Sequence, residues 1–425
     1  MELMNAKGTR DFLPEDKILR QEITDKLRVI FEKYGYNPLE TPILERFDVL
    51  SAKYAGGAEI LKETFKLQDQ GGRELGLRYD LTVPFSRVIA SNKQLRMPFK
   101  RYQIDRVFRD GPIKLGRTRE FWQCDVDVVG CKSMLADAEM IAIASDFFKS
   151  IGIEVVIKVN NRKVLDSIMR EAGIPIEKRE EAILILDKLE KIGEKGVRKE
   201  MAEKGIECEK MLNIVKSEKL VLDNDDGLKE LQDLERFLNL LKVENFQVDY
   251  TLARGLSYYT GTVFEIKCKE IDSSIGGGGR YDEMISNFVG SGDYPAVGIS
   301  FGLEPIFEIL KSRQVKKTVV QLFVIPIKCL DECLYLIQEL RDVGVNVDLD
   351  FNGRSISKNL DFVNKMGIPF ALIVGSDELK AKKFTLKNMV SGEEKKLSIY
   401  GVLKELKCCG CIPHANSLDP LICPH

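Results

Sequence analysis

Histidine is almost absent from this sequence, and its absence limits the chemistry that the chain can perform. Of 425 residues only two are histidine, His414 and His425, and both lie at the very end of the chain. Any site formed by earlier residues must therefore work without an imidazole side chain of the protein. An imidazole in such a site would have to come from a substrate.

The sequence also lacks the signals of a disulfide framework and of a membrane-spanning segment. Ten cysteines are few for a disulfide framework in a chain this long, so we expect reduced thiols. No apolar run is long enough to cross a membrane. The segment Met1–Gly8 lacks the apolar core of a signal peptide, which predicts a cytoplasmic protein with no membrane partner.

The chain has almost no net charge. Lysine and arginine number 64 and aspartate and glutamate 66, giving −2. Bulk charge therefore gives no attraction to nucleic acid, and an RNA partner would have to bind through local basic faces and shape. The length predicts two or three domains, and 44% hydrophobic with 31% charged residues is typical of a globular protein with a full core.

Two segments look like places where the backbone meets a ligand. An alternating strand predicted over Phe246–Leu252 leads into Ala-Arg-Gly-Leu-Ser-Tyr-Tyr-Thr-Gly, which brings Arg254, Tyr258 and Tyr259 into a turn. Downstream, the four glycines 276–279 suit a place where a substrate or another strand must approach closely. A flexible linker is the alternative interpretation of the glycines.

These two segments resemble the two family-specific motifs of the histidyl-tRNA synthetases. The resemblance implies an α+β fold, with a class II antiparallel-sheet catalytic core, a helical insertion and a C-terminal α/β anticodon-binding domain. It also implies ATP-dependent ligation of L-histidine to tRNA(His) through a histidyl-adenylate, with Mg²⁺. By the same resemblance, Arg254 is catalytic and binds histidine together with Tyr258 and Tyr259.

The N-terminal region predicts a helix followed by an interrupted strand. Apolar residues recur with a helical period from Leu19 to Ile30, and the helix should end at Gly35. Tyr36–Leu44 contains two prolines, which predicts an edge or broken strand. This region resembles class II motif 1, in which a proline, here Pro42, lies in a homodimer interface.

Asp80 and Thr82 have two interpretations. Two residues apart, they would share one face of an extended segment and could together accept an ammonium group. Spacing alone favours a helix N-cap at Thr82, with Asp80 nearby, since Pro84 follows. The resemblance instead implies that they bind the α-amino group of histidine.

Residues 101–130 carry the densest charge in the chain. The pattern predicts strand, loop and strand around Gly111, with Gln123, Asp125 and Asp127 on one face. The arginines suit polyphosphate because guanidinium groups bind phosphate oxygens bidentately. Interleaved aromatic residues favour a lined cleft, and a solvated basic face is the alternative.

The same segment resembles class II motif 2. The resemblance gives Arg109 the role of contacting both the α-phosphate of ATP and the histidine carboxylate, and it is therefore catalytic. Gln123 and Asp127 match the histidine-binding pair. Arg117 and Glu304, the latter in a strand-to-helix segment (296–306) that resembles motif 3, are further candidates for binding ATP. We expect no metal site built from protein ligands.

Three positions depart from the family pattern. Pro305 stands where motif 3 has an arginine, Gly111 where motif 2 has a glutamate, and Ser257 where the Arg254 motif has an aspartate. These departures support an alternative function, that of a synthetase-like regulatory subunit of histidine biosynthesis that binds histidine without aminoacylation activity. Such paralogues usually lack an anticodon-binding domain, whereas a βαβαβ pattern follows residue 318 here.

The predicted domains follow from these motifs. The catalytic core comprises residues 1–163 and 244–312, and residues 164–243 form a helical insertion. Residues 318–405 form the anticodon-binding domain, with a basic patch at Lys380, Lys382, Lys383 and Lys387. Residues 408–425 form a tail rich in cysteine and histidine. Zinc binding and a disordered tail are its alternatives, and its ligand spacing matches no established finger.

Overall fold

The computed structural model describes residues 3–52, 58–113, 117–217, 225–253, 258–313 and 316–408. The chain forms two compact units. Among the described residues, the first comprises 3–11 together with 20–313, and the second comprises 12–19 together with 316–408. No helix of the described ranges has the length and apolar character needed to cross a membrane.

Strands and helices alternate irregularly up to residue 313. The strands are β1 (Asn37–Pro38), β2 (Leu44–Arg46), β3 (Lys66–Gln68), β4 (Glu74–Leu77), β5 (Phe99–Phe108), β6 (Glu120–Val129), β7 (Val155–Asn161), β8 (Phe246–Val248), β9 (Thr262–Cys268), β10 (Gly276–Arg280) and β11 (Ala296–Gly302). The helices are α1 (Pro14–Lys33), α2 (Phe47–Leu50), α3 (Ala58–Lys62), α4 (Thr82–Ser91), α5 (Met134–Ser150), α6 (Arg162–Glu171), α7 (Ile176–Leu186), α8 (Leu189–Glu203), α9 (Glu209–Val215), α10 (Asp226–Leu240), α11 (Asp282–Val289) and α12 (Leu303–Lys311).

One large sheet dominates the first unit. Within the described ranges it has eight strands in the order β1-β5-β6-β11-β10-β9-β7-β8. The six inner strands are antiparallel, and only the edge strands β1 and β8 pair in parallel with their neighbours. Strands β2, β4 and β3 form a separate small antiparallel sheet. The predicted antiparallel class II core is confirmed.

The glycine run is a central strand. Gly276–Gly279 pair with β9 on one side and β11 on the other. A Cβ atom at Gly278 would collide with the carbonyl oxygen of Gly298, and one at Gly279 would lie 2.5 Å from the carbonyl oxygen of Thr262. Only glycine fits such close backbone approach. The close approach of another strand is therefore confirmed, and a flexible linker is wrong.

Aromatic side chains behind the sheet hold β11 in position. The ring of Phe301 lies 5.4 Å from that of Phe147 on α5 and 5.9 Å from that of Phe31 on α1, measured between centroids. Such pairs contribute about 0.5–1.5 kcal/mol each beyond their buried area. The predicted apolar face of α1 is also confirmed, since Ile23, Leu27 and Ile30 are buried. The central strand that borders the site therefore has a rigid support.

The strand predicted over Phe246–Leu252 is shorter than expected. It ends at Val248, because the carboxylate of Asp249 accepts hydrogen bonds from the backbone N–H and the hydroxyl of Thr251. This local bonding turns the chain away from the strand direction. The predicted helical insertion does form helices α6–α10. Ala182, Ile185 and Leu186 lie buried on one face of α7.

The second unit contains β12 (Leu322–Ile327), α13 (Leu330–Asp342), β13 (Val347–Leu349), α14 (Ile356–Met366), β14 (Phe370–Gly375), α15 (Ser376–Ala381), β15 (Phe384–Asn388), β16 (Glu394–Leu397) and α16 (Ile399–Cys408). The predicted parallel βαβαβ pattern is confirmed for β13, β12 and β14. Strands β15 and β16 extend the sheet in antiparallel fashion, which the sequence pattern did not predict. The tail after Cys408 lies outside the described ranges.

Candidate active site

Helix α4 brings Asp80 and Thr82 to one wall of a cavity. The carboxylate of Asp80 accepts a hydrogen bond of 3.0 Å from the backbone N–H of Val83, so Asp80 caps the helix and Thr82 is its first residue. Both side chains also line the cavity. The cap and the ligand-binding interpretation are therefore compatible, and the prediction that Thr82 itself is the cap is wrong.

Alternate residues of β6 form the floor of the same cavity. Gln123, Asp125 and Asp127 pair in register with Gly302, Ser300 and Gly298 of β11. Because successive side chains of a strand point to opposite faces, all three reach one side of the sheet. The amide nitrogen of Gln123 donates to the hydroxyl of Ser300 at 3.2 Å. The predicted common face of these three residues is confirmed.

Together these elements enclose a cavity of about 420 Å³. This volume lies within the range of small-molecule sites. Its lining residues come from α3, α4, β6, β10 and β11 and from the segments next to them: Ile60, Asp80, Thr82, Arg109, Phe121, Trp122, Gln123, Asp125, Asp127, Tyr258, Tyr259, Ser274, Ile275, Gly276, Gly277, Gly278, Tyr281, Gly298, Ile299, Ser300 and Gly302.

Gly298 leaves the space that the carboxylate of Asp127 occupies. A Cβ atom at position 298 would overlap Asp127 Oδ1 and lie 3.1 Å from the carbonyl oxygen of Val126. The backbone cannot yield there, since Gly298 is paired in the sheet on both sides. The glycine therefore determines where the Asp127 carboxylate lies.

Replacing Gly298 with alanine should displace that carboxylate and destabilise the protein. Overpacking of this kind costs roughly 1–3 kcal/mol of unfolding free energy. We therefore expect a lower melting temperature and weaker binding of the ligand of the cavity. Thermal unfolding and ligand titration measure both. Gly401→Ala in α16 is the matched control, because alanine favours a helix; equal destabilisation by both changes would contradict the assignment.

Burial raises the pKa of the cavity carboxyls. Desolvation raises the pKa of Asp80 to about 6 and that of Asp125 to about 7, while the pKa of Asp127 is raised in spite of the nearby Arg101. A carboxyl whose pKa is higher in the folded than in the unfolded chain binds protons preferentially when folded. These groups therefore lower the free energy of unfolding of the ligand-free protein as pH rises from about 4 to about 7. A bound cation would offset that cost.

Asp127 is held by two buried partners. Arg101 Nη2 lies 2.8 Å from Asp127 Oδ2, and the hydroxyl of Tyr281 donates to Oδ1 at 2.6 Å. The Arg101 guanidinium also lies 4.3 Å from the ring centroid of Phe85. With arginine and carboxylate both withdrawn from water, removing either would leave an uncompensated buried charge.

Arg109 is oriented from two sides. Its Nε donates to the carbonyl oxygen of Tyr79 at 3.0 Å, and its guanidinium lies 5.2 Å from the ring centroid of Phe121. Cation–π contact within about 6 Å is attractive. The side chain lines the cavity, and a hydrogen bond at Nε leaves the two terminal nitrogens as donors for a carboxylate or phosphate.

The structure gathers seven of the predicted site residues in this cavity. They are Asp80, Thr82, Arg109, Gln123, Asp127, Tyr258 and Tyr259. Two predicted ATP-binding residues lie elsewhere: Arg117 pairs with Glu63 at 3.1 Å, and neither it nor Glu304 is among the lining residues. Arg254, with Ser257, lies outside the described residues.

Glu304 connects three elements. Its Oε1 accepts from Arg20 Nη2 at 2.8 Å, and its Oε2 accepts from the backbone N–H of Trp122 at 3.1 Å. All of this lies in a buried environment, since Arg20 is 2% and Glu304 4% exposed. Glu304 therefore ties α12 to α1 and β6. Pro305 lies in the first turn of α12, where proline is tolerated.

Sequence reasoning grouped Arg101 with the arginines that suit polyphosphate, which is wrong, because Arg101 is buried and paired with Asp127. It did not single out Tyr281 or Glu63. Arg101 and Tyr281 contact Asp127 across the sheet, which no spacing signal reveals. Glu63 lies against Gly111: a Cβ there would meet the Glu63 carboxylate at 2.8 Å. A carboxylate is thus present beside the position where a glutamate was expected, and it comes from another part of the chain.

Comparisons with known proteins cover both units. A family model described as "Histidyl-tRNA synthetase" matches residues 8–306, and one described as "Anticodon binding domain" matches residues 320–408. The chain is 46% identical to "Histidine--tRNA ligase 1" of Bacillus cereus, over 96% of this chain and 100% of that protein.

Solved structures show the same similarity. A histidyl-tRNA synthetase from Nostoc sp. PCC 7120 superimposes with a TM-score of 0.86 at 34% identity, covering 96% of this chain and 100% of the other. An "ATP phosphoribosyltransferase regulatory subunit/histidyl-tRNA synthetase" from Bacillus halodurans shares the fold, with a TM-score of 0.72 at 24% identity over 84% of this chain and 96% of the other.

Proposed function

This chain belongs to the histidyl-tRNA synthetase family, and on that premise we propose that its cavity binds L-histidine and activates it with ATP for transfer to tRNA(His). The observation that carries the proposal is the convergence of seven predicted residues on one cavity of about 420 Å³. They come from three distant parts of the sequence. The ligation of histidine to tRNA also agrees with the near full-length similarity to histidine–tRNA ligases.

The α-ammonium and α-carboxylate groups of histidine each need a partner of opposite charge, and the imidazole needs a hydrogen-bond partner. Asp80 and Thr82 would hold the α-ammonium group, since a buried carboxylate next to a hydroxyl accepts its N–H donors. Asp127 would accept a hydrogen bond from an imidazole N–H, and Gln123, Tyr258 and Tyr259 would line the rest of the histidine site. Arg109 would orient the α-carboxylate of histidine.

Activation requires no side-chain nucleophile. A carboxylate oxygen of histidine attacks the α-phosphorus of ATP and pyrophosphate leaves. The protein aligns the two groups and stabilises the negative charge that develops on the α-phosphate oxygens. Arg109 and Arg254 would supply the cations. Catalysis is then chiefly positioning and electrostatics, and no histidine side chain of residues 1–413 can take part.

Residues near the loop after β5 would bind the remainder of ATP. Arg117 and the Glu63 carboxylate beside Gly111 form an exposed pair, and polyphosphate could displace the carboxylate from the arginine.

In the part of the chain that the structure describes, no group of three or more acidic, histidine or cysteine side chains could hold a metal ion. Mg²⁺ is commonly held by substrate phosphates with one or two carboxylates, and Glu63 would be one. Glu304 would act by positioning α12.

The test is histidine-dependent exchange of pyrophosphate into ATP, followed by charging of tRNA(His) transcript. Both reactions should proceed with L-histidine and fail with other amino acids. Copurification with a phosphoribosyltransferase and no exchange would instead support the regulatory subunit of histidine biosynthesis. The anticodon-binding family match over residues 320–408 favours the synthetase, because a domain of that family would give the chain a second contact with tRNA.

Oligomeric state and location complete the proposal. We expect a cytoplasmic homodimer whose interface includes the segment around Pro42. Light scattering coupled to size exclusion should give twice the mass of the single chain.

A further inference from the structure

Asp125 lines the cavity but has no role in the function proposed above. It is 3% exposed and sits on β6 between Gln123 and Asp127. Within the described ranges, neither its Oδ1 nor Gln123 Oε1 has a hydrogen-bond partner. Buried acceptors without a donor are costly, and in native proteins they normally meet a donor from the protein, from water or from a ligand. The two acceptors belong to Gln123 and Asp125, which are two residues apart on β6 and line the same cavity.

The charged and titratable groups around Asp125 come from every neighbouring element. They are Arg101 on β5, Asp127 on β6, Asp80 before α4, Tyr281 before α11 and, as a hydrogen-bonding hydroxyl, Ser300 on β11. Arg101 is already committed to Asp127, with which it forms an ion pair. Among the described residues, the floor of the cavity therefore holds the carboxyl groups of Asp125 and Asp127 and the guanidinium of Arg101. If both carboxyl groups are ionised, the floor carries a net charge of minus one.

We propose that Asp125 is a specificity-determining residue that binds the second nitrogen of the substrate imidazole and shares one proton with it. The inference rests on the proposed function, since it presumes that the cavity binds histidine. In the complex the imidazole donates one N–H to Asp127. Its other nitrogen meets Asp125, either as a neutral imidazole accepting from the protonated carboxyl or as an imidazolium donating to the carboxylate. Both forms contain the same single shared proton.

This arrangement makes histidine binding depend on pH. Desolvation raises the pKa of Asp125 to about 7, and free imidazole side chains titrate near 6.5. Above both values Asp125 is ionised and the imidazole is neutral, so neither separate partner carries the shared proton, whereas the complex contains it. Binding must then take up a proton, and linkage predicts that affinity falls about tenfold for each pH unit above 7.

The pH dependence of the histidine KM in pyrophosphate exchange tests the proposal. The KM of the wild-type protein should rise by about tenfold from pH 7.5 to 8.5 relative to that of Asp125→Asn. Titration of the substrate α-ammonium is common to both proteins and cancels in this ratio. Asp233→Asn is the control: Asp233 lies on α10, forms an exposed pair with Arg236 and is not a lining residue. It should keep the wild-type profile.

Proton uptake on the wild-type protein gives a second measurement that needs no variant. Calorimetric titration of histidine at pH 8 in two buffers of different ionisation enthalpy should show uptake of about one proton. Uptake near zero, or identical KM profiles for wild type and Asp125→Asn, would overturn the role of Asp125. Absence of any histidine-dependent exchange in the wild type would instead contradict the proposed function itself.

Discussion

Replacing Arg109 with alanine should slow histidine-dependent pyrophosphate exchange by about a hundredfold or more. Negative charge builds on the α-phosphate oxygens as pyrophosphate leaves, and a donor preorganised toward that charge stabilises the transition state more than the ground state. Removing one such donor typically costs about 10²–10³ in rate. Arg109 is held by the Tyr79 carbonyl and the Phe121 ring, so little reorganisation is needed during reaction.

Single-turnover formation of the adenylate measures this effect free of product release. Arg109→Lys should recover only part of the rate, because a point charge on a flexible stem does not reproduce the planar fork. Arg106→Ala is the matched control. Arg106 lies near the end of β5, three residues before Arg109, is about half exposed, pairs with Glu120 and is not a lining residue. A similar loss in both alanine variants would point to general effects of removing charge rather than to catalysis.

Replacing Asp127 with asparagine should raise the histidine KM by about a hundredfold while changing the ATP KM only slightly. A charge-assisted hydrogen bond is worth roughly 1.5–3 kcal/mol, and a site built for a donor discriminates strongly against its loss. Asparagine keeps the volume beside Gly298 and can still accept from Tyr281. The effect therefore reports charge rather than packing.

Asp127→Ala should add a loss of stability to this binding defect. Both variants remove the charge that neutralises Arg101, which is 0% exposed, and breaking one side of a buried pair costs about 3–5 kcal/mol. Alanine also removes the oxygen that accepts from Tyr281. Thermal unfolding separates the two effects. If Asp127→Asn raised the KM values of histidine and ATP equally, Asp127 would not be the imidazole partner.

Local signals predicted the elements of the fold well. The helical period of α1, the prolines of the broken strand and the βαβαβ pattern of the second unit all depend on short-range sequence, and each was confirmed. The end of β8 was wrong because a side-chain hydrogen bond at Asp249 competes with the strand. Strand β15 went unpredicted although Phe384 and Leu386 alternate with Thr385 and Lys387, because the alternation is only two apolar residues long. Strand β16 has a single apolar residue and no alternation.

Site residues that lie within motifs could be recognised from sequence, whereas their partners could not. The motif predicted that Asp127 is a site residue. Its contacts with Arg101 and Tyr281, however, depend on how strands from distant parts of the chain pair in the sheet. The same is true of Glu63, which reaches Gly111 only because α3 and the loop after β5 are brought together. Such contacts have no periodic signature.

The sequence alone therefore determined the family, the classes of chemistry and the order of the elements, because composition and local patterning suffice for those. The absence of histidine excluded an imidazole of the protein from the site, and the glycine run required close backbone approach. Only the tertiary structure decided which groups are buried together and which buried acceptors lack a donor. Burial and pairing set the pKa of Asp125 and the position of Asp127, and both depend on neighbours that the chain supplies from other strands and helices.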